Sequence, residues 1–217
     1  MIIRQEVWTP KTSWKTALNQ GYTSRSGVVF CFGNPGKHNA QAIFNEVRHS
    51  FPEAELVFGF LDEGHDEQLF LTAFHCEPEQ FVIDKIELNN LAEDSQAIKD
   101  RFEEIKWNER MLCLDADQSY ARQLVSNIQE NCSTNQILQS QKPTQRIRLG
   151  LNEMPEYNRA ISFVMKDQSF NFSIKKPAAL ASKGAAATQS IWDRYAVYMQ
   201  TASENYTFHL PIALISV

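Results

Sequence analysis

VVFCFGNPGKHNAQAIFNEVRHSFPEAELVFGFLDEGHD, residues 28–66, reads as a strand, a turn, a helix, a second strand and an acidic turn. Val28, Val29, Phe30, Cys31 and Phe32 form a continuous apolar run, β-branched and aromatic, as expected of a strand buried on both faces. Gly33, Asn34, Pro35 and Gly36 break that run, and Asn39 can cap a helix. Ala40, Ile43, Phe44 and Val47 recur at helical spacing and form one apolar stripe. Pro52 ends the helix just after Phe51, and Leu56, Val57, Phe58, Gly59 and Phe60 make the second strand. Strand, helix and strand with tight connections form a βαβ unit, whose two strands run parallel and whose crossover is right-handed.

Outward from this unit the chain continues as α/β. Ile2, Ile3, Val7 and Trp8 suit an edge strand, and Thr12 or Ser13 can cap a short helix carrying Trp14, Ala17 and Leu18. Leu69 to Phe74 is a third strand, and Phe81, Ile83, Ile86 and Leu88 alternate like a fourth, hairpin-paired with it. Asp94 caps a helix with Ile98, Phe102 and Ile105 inward. Met111 to Leu114 is a strand followed by Asp115 and Asp117. The next helix, capped by Asp117, carries Tyr120, Ala121, Leu124, Val125 and Ile128 on one face.

The sequence from Cys132 to Thr144 turns polar and reads as a linker. Beyond it, Ala160 to Met165 and Phe170 to Ile174 suggest a hairpin. Ile191, Trp192, Tyr195, Tyr198, Met199 and Ala202 suggest one long helix, and Leu210 to Val217 a last strand. The expected fold is α/β: a mixed sheet with a βαβ core flanked by helices, plus a C-terminal α+β part of strands, hairpin and one long helix. The expected units are residues 1–132 and 145–217, the second able to pack on the same sheet.

Composition narrows the function. The 217 residues carry 21 Lys plus Arg against 26 Asp plus Glu, a net charge of -5. That is not the basic excess of a chain whose main task is holding nucleic acid. No apolar run approaches the ~20 residues of a membrane span. Met1 to Pro10 lacks the apolar core and small-residue cleavage site of a signal peptide, so the expected compartment is the cytoplasm. Cys31, Cys76, Cys113 and Cys132 have no CxxC spacing and read as free thiols.

Ligands of open parallel sheets bind beyond the carboxyl ends of the strands. The rule gathers Asn34, Lys37 and His38 from the first strand, Asp62, Glu63 and His65 from the second, and Asp115 and Asp117 from a later one. These eight are the candidate ligand-binding residues. Gly33 to Lys37 ahead of a helix suggests an anion loop. Pro35, however, removes a donor, and the Walker spacing is absent. His65, His75, Cys76, Asp62 and Asp66 are metal-ligand types without a zinc or EF-hand spacing, and read better as surface or core residues. Asp115 and Asp117 suit Mg²⁺ or acid–base work, although capping accounts for one of them.

The order of these elements resembles the N-terminal part of the FIST sensory domain, over residues 12 to about 130. The helix bearing Ala17, the strand ending near Phe32 and Gly33, the Ile43–Val47 helix and Pro52-x-Ala54-x-Leu56-Val57-x-Gly59 carry the likeness, with the three later strands. After the second strand that family has a small-residue turn, where this chain has Phe60-Leu61-Asp62-Glu63-Gly64-His65. The resemblance implies a cytoplasmic sensory module that binds a small polar ligand without enzymatic chemistry, acting through a partner protein or as an oligomer, its cofactors unspecified. A hydrolase or transferase using His38 or His65 with Asp115 or Asp62, with or without a metal, is the alternative. A protein-interaction module is the second.

Overall fold

The computed structural model describes residues 2–14, 18, 27–61, 67–104, 109–116, 118–129, 136–139, 147–165, 171–175, 195–200 and 205–210. One strand sets the layering. β3 (Gly27–Asn34) is buried at every position, and the pleat sends successive side chains to opposite faces. Val28, Phe30 and Phe32 belong to one core cluster, and Val29 and Cys31 to another. A strand apolar on both faces needs a layer on each side.

The first sheet contains β1 (Ile2–Thr9), β2 (Ser13–Trp14), β3, β4 (Glu55–Leu61), β5 (Gln68–His75) and β9 (Ile147–Leu151). Its order is β2-β1-β5-β3-β4-β9. Only β3 and β4 run parallel, with Val28 opposite Glu55 and Gly33 opposite Phe60. Their crossover is α1 (Ala40–Ser50). Its Ile43 and Val47 pack with Val29, Cys31, Leu56 and Phe58 on the outer face of the sheet. Asn39 occupies the N-cap position of α1 but makes no side-chain cap bond.

The second sheet is formed by β6 (Phe81–Glu87), β7 (Glu109–Leu114), β8 (Gln136–Gln139) and β10 (Arg159–Met165), in the order β6-β10-β7-β8. It packs on the inner face of the first. Phe163 lies edge-on to Phe30 at 5.3 Å and stacks with Phe81 at 6.3 Å. Burying each such ring contributes about 1.5–3 kcal/mol. α2 (Leu91–Glu104) and α3 (Gln118–Gln129) cover the far side, where Ile98, Ala121, Leu124 and Ile128 meet Leu114 and Ala160. The layers therefore run helix, sheet, sheet, helices, an α/β fold with mixed sheets. β11 (Asn171–Lys175), β12 (Tyr195–Gln200) and β13 (Asn205–Leu210) form a third, antiparallel sheet.

Several elements differ from the sequence reading. β5 and β6 are not a hairpin but enter different sheets. A 3-10 turn at Pro78–Gln80, closed by a reciprocal Glu77–Gln80 capping box, redirects the chain between them. β10 and β11 are not a hairpin either, because β6 and β7 occupy both edges of β10. Tyr195–Gln200 is a strand where a helix was expected; its aromatic and β-branched residues suit either period over so short a run. The polar linker holds β8, parallel to β7, so β7-α3-β8 is a second βαβ unit. Ser13–Trp14 bridges to β1 in place of a helix start. α2 begins at Leu91, where Asn90 Oδ1 accepts the Ala92 N–H, so Asn90 is the cap and Asp94 lies inside the first turn. The last expected strand lies outside the described residues from Pro211 onward. β9 and β10, from beyond the linker, complete the two sheets begun before it.

Candidate functional site

Each βαβ unit ends its first strand in a polar turn, and the two turns are built differently. At the carboxyl end of β3, Asn34 is 6% exposed and its Oδ1 accepts the Gly36 N–H at 2.9 Å. This is an Asx turn, which fixes the loop from inside. Gly33 has φ 142°, and a Cβ there would sit 2.2 Å from the Gln68 carbonyl oxygen. Only glycine lets β3 and β5 approach so closely at this twist.

The turn leaves Lys37 and His38 exposed ahead of α1. The first turn of α1 carries no acidic side chain, so its N–H groups keep their partial positive charge. At the same turn, the Glu67 carboxylate lies against Gly36: a Cβ on Gly36 would be 2.4 Å from its Oε1. Lys37, His38 and the helix terminus, with Glu67 against the neighbouring Gly36, bring both signs of charge to one turn. A carboxylate in this position works against a densely charged phosphate and favours a group carrying both charges.

At the carboxyl end of β7 the polar groups turn inward. Asp115 is 1% exposed. Its Oδ2 accepts the Asn158 N–H at 2.6 Å, and its own N–H donates to the Arg159 carbonyl at 2.9 Å. Asp94, also buried, accepts the N–H groups of Asn89 and Asn90 and the Tyr120 hydroxyl. The Arg159 guanidinium donates to Glu153 at 2.5 Å and to Glu156, and Lys85 reaches Glu153 at 2.6 Å. These carboxylates satisfy backbone donors and cations of the fold itself.

Of the eight candidate residues, the described structure places Asn34, Lys37 and His38 on one turn. Asp115 ends a strand of the other sheet. Gathering all of them at one edge presumed a single parallel sheet, and β7 lies in a different sheet from β3 and β4. Asp62, Glu63, His65 and Asp117 lie outside the described residues. Sequence reasoning passed over Glu67, which precedes a strand without any motif. It also passed over Arg159, Asn158 and Tyr120, the last because it sits on an apolar helical face.

Among the described residues the cysteines are chemically quiet. Burial pushes the Cys113 thiol up to about 12 and Cys76 up to about 11, and raises Cys31 further still. A thiol so protonated is a poor nucleophile at neutral pH. Among the described residues, no group of three or more His, Cys, Asp or Glu is arranged to hold a metal ion. Nor is any helix among them long and apolar enough to cross a membrane. Comparison with protein-family models, curated proteins and solved structures finds no match for this chain.

Proposed function

We propose that the protein is a non-enzymatic sensory module that binds a small zwitterion of the amino-acid class at the β3–α1 turn and acts through a partner or as an oligomer. The observation that carries this reading is the mixed-sign turn: exposed Lys37 and His38 at an uncapped helix start, with the Glu67 carboxylate against Gly36. A ligand carboxylate would meet the cationic side and its ammonium the Glu67 side. The resemblance of residues 12 to about 130 to the FIST sensory domain supports the same class. Signalling would follow from population shift, the ligand favouring one arrangement of the turn over another.

The test is a thermal-shift panel of free amino acids on the full chain, with acetate and ethylammonium as single-charge probes. A ligand at ~100 times its Kd adds about 2.7 kcal/mol, which raises the Tm of a chain this long by roughly 5–10 °C. Some amino acids should shift Tm while neither single-charge probe does, and Lys37→Ala and Glu67→Gln should each remove the shift. Equal shifts from acetate, or shifts that survive both substitutions, would refute the assignment.

A further inference from the structure

Residues 152–159 connect the last strand of one sheet to a central strand of the other, and both ends are fastened. At the first sheet, Asn152 donates its N–H to the Leu56 carbonyl at 2.8 Å and accepts the Leu56 N–H on Oδ1 at 3.0 Å. The same Oδ1 accepts from Arg48, and Nδ2 donates to the Glu55 carboxylate. One side chain thus holds the start of β4 and the end of α1. The segment then folds back along β9, where Glu156 and Leu149 exchange both backbone hydrogen bonds at 2.8 and 2.9 Å. Gly150 permits the return, since a Cβ there would lie 2.4 Å from the Glu153 carbonyl oxygen. At the second sheet, Asn158 accepts the Leu88 N–H at 2.7 Å and donates to Asp115.

Two features make these fastenings one object. Asn152 and Asn158, which bound the segment, both take the left-handed conformation at φ 58°, a state that asparagine tolerates better than most residues. Arg159, next after Asn158, holds Glu153, the neighbour of Asn152, and Glu156, two residues before Asn158. Asn152, Glu153, Arg159 and Asp115 are therefore joined in one run of neighbours and contacts, since the Arg159 backbone carbonyl accepts the Asp115 N–H.

We propose that residues 152–159 are a conformational clip that couples the start of β4 to the carboxyl end of β7, so that opening either end opens the other. The clip is independent of which ligand the protein binds. It is a two-state element of the kind that carries coupling between distant sites, and its parts should open together as one cooperative unit.

Hydrogen exchange of the full chain, read by NMR at the amides of Leu56, Leu88 and Asn158, tests it. Asn152→Gly removes the side-chain bonds to Leu56, Arg48 and Glu55 and keeps the left-handed backbone, so it cuts only the first-sheet fastening. It should accelerate Leu88 and Asn158, as well as Leu56, by roughly tenfold or more, while the amides of β3 stay protected. Asp115→Asn, at the other end, should accelerate Leu56. Acceleration confined to the substituted end overturns the proposal, and so does a uniform rise that includes β3. If either variant fails to fold, Arg159→Lys, which keeps the charge and loses the fork, must speed both ends together for the proposal to stand.

Discussion

The β3-α1-β4 and β7-α3-β8 units share a motif and differ in what happens past the first strand. After β3 an Asx turn faces its asparagine inward and leaves Lys37 and His38 in solvent. After β7 the equivalent position, Asp115, is covered by a returning loop and spends a carboxylate oxygen on the Asn158 N–H. The strand-end rule locates polar residues in both places. Whether they are available to a ligand depends on what packs over them. At β7 they hold the fold, and past β3 Lys37 and His38 stay in solvent.

The largest effect should come from the ring that joins the two units. Phe163→Ala removes the contacts to Phe30 and Phe81 and opens a cavity between the sheets, which should cost about 3–5 kcal/mol. Urea unfolding measures it. A loss below about 1 kcal/mol would mean that the two sheets fold as separate layers and that the two units are independent.

Asp115→Ala comes next. It removes a buried carboxylate and leaves the Asn158 N–H without its acceptor, which should cost about 1–3 kcal/mol. The double variant Lys37→Ala/His38→Ala, at the matching place on β3, should change stability by no more than about 0.5 kcal/mol, because both side chains are exposed. Chemical denaturation of the two variants side by side tests the contrast directly. Similar losses would erase the distinction between a structural end and an available one.

Much of the first unit is legible from residues 28–66, because a doubly buried strand, a helix stripe and Pro52 all write local signals. The layering is not. Nothing near Cys76 announces that the chain leaves one sheet for another, since Glu77–Gln80 looks like any polar turn and its capping box depends on geometry. β8 is hidden because only Ile137 and Leu138 interrupt its polar surroundings, and it exists by pairing with β7. The candidate turn is legible only in part for the same reason. Asn34, Lys37 and His38 follow from the break after Phe32, whereas Glu67 reaches Gly36 only because β5 pairs antiparallel with β3, setting Gln68 opposite Asn34.

The smallest expected effect belongs to the amino end of β3, away from either polar turn. There His75 pairs with Gly27, and burial lowers its pKa below the ordinary histidine value. The folded state therefore resists a proton that the unfolded chain accepts at about 6.5. This contribution is complete above the unfolded value and is lost as pH falls from there toward the lowered folded one. Tm measured between about pH 5 and 8 should decline on acidification more steeply in the native protein than in His75→Gln. The same decline should persist in Lys37→Ala, since that substitution touches only the carboxyl end of the strand. An identical profile in His75→Gln would show that His75 plays no part. A decline abolished by Lys37→Ala would show that the two ends of β3 are linked, making the β3 turn less independent of its sheet than its exposed side chains imply.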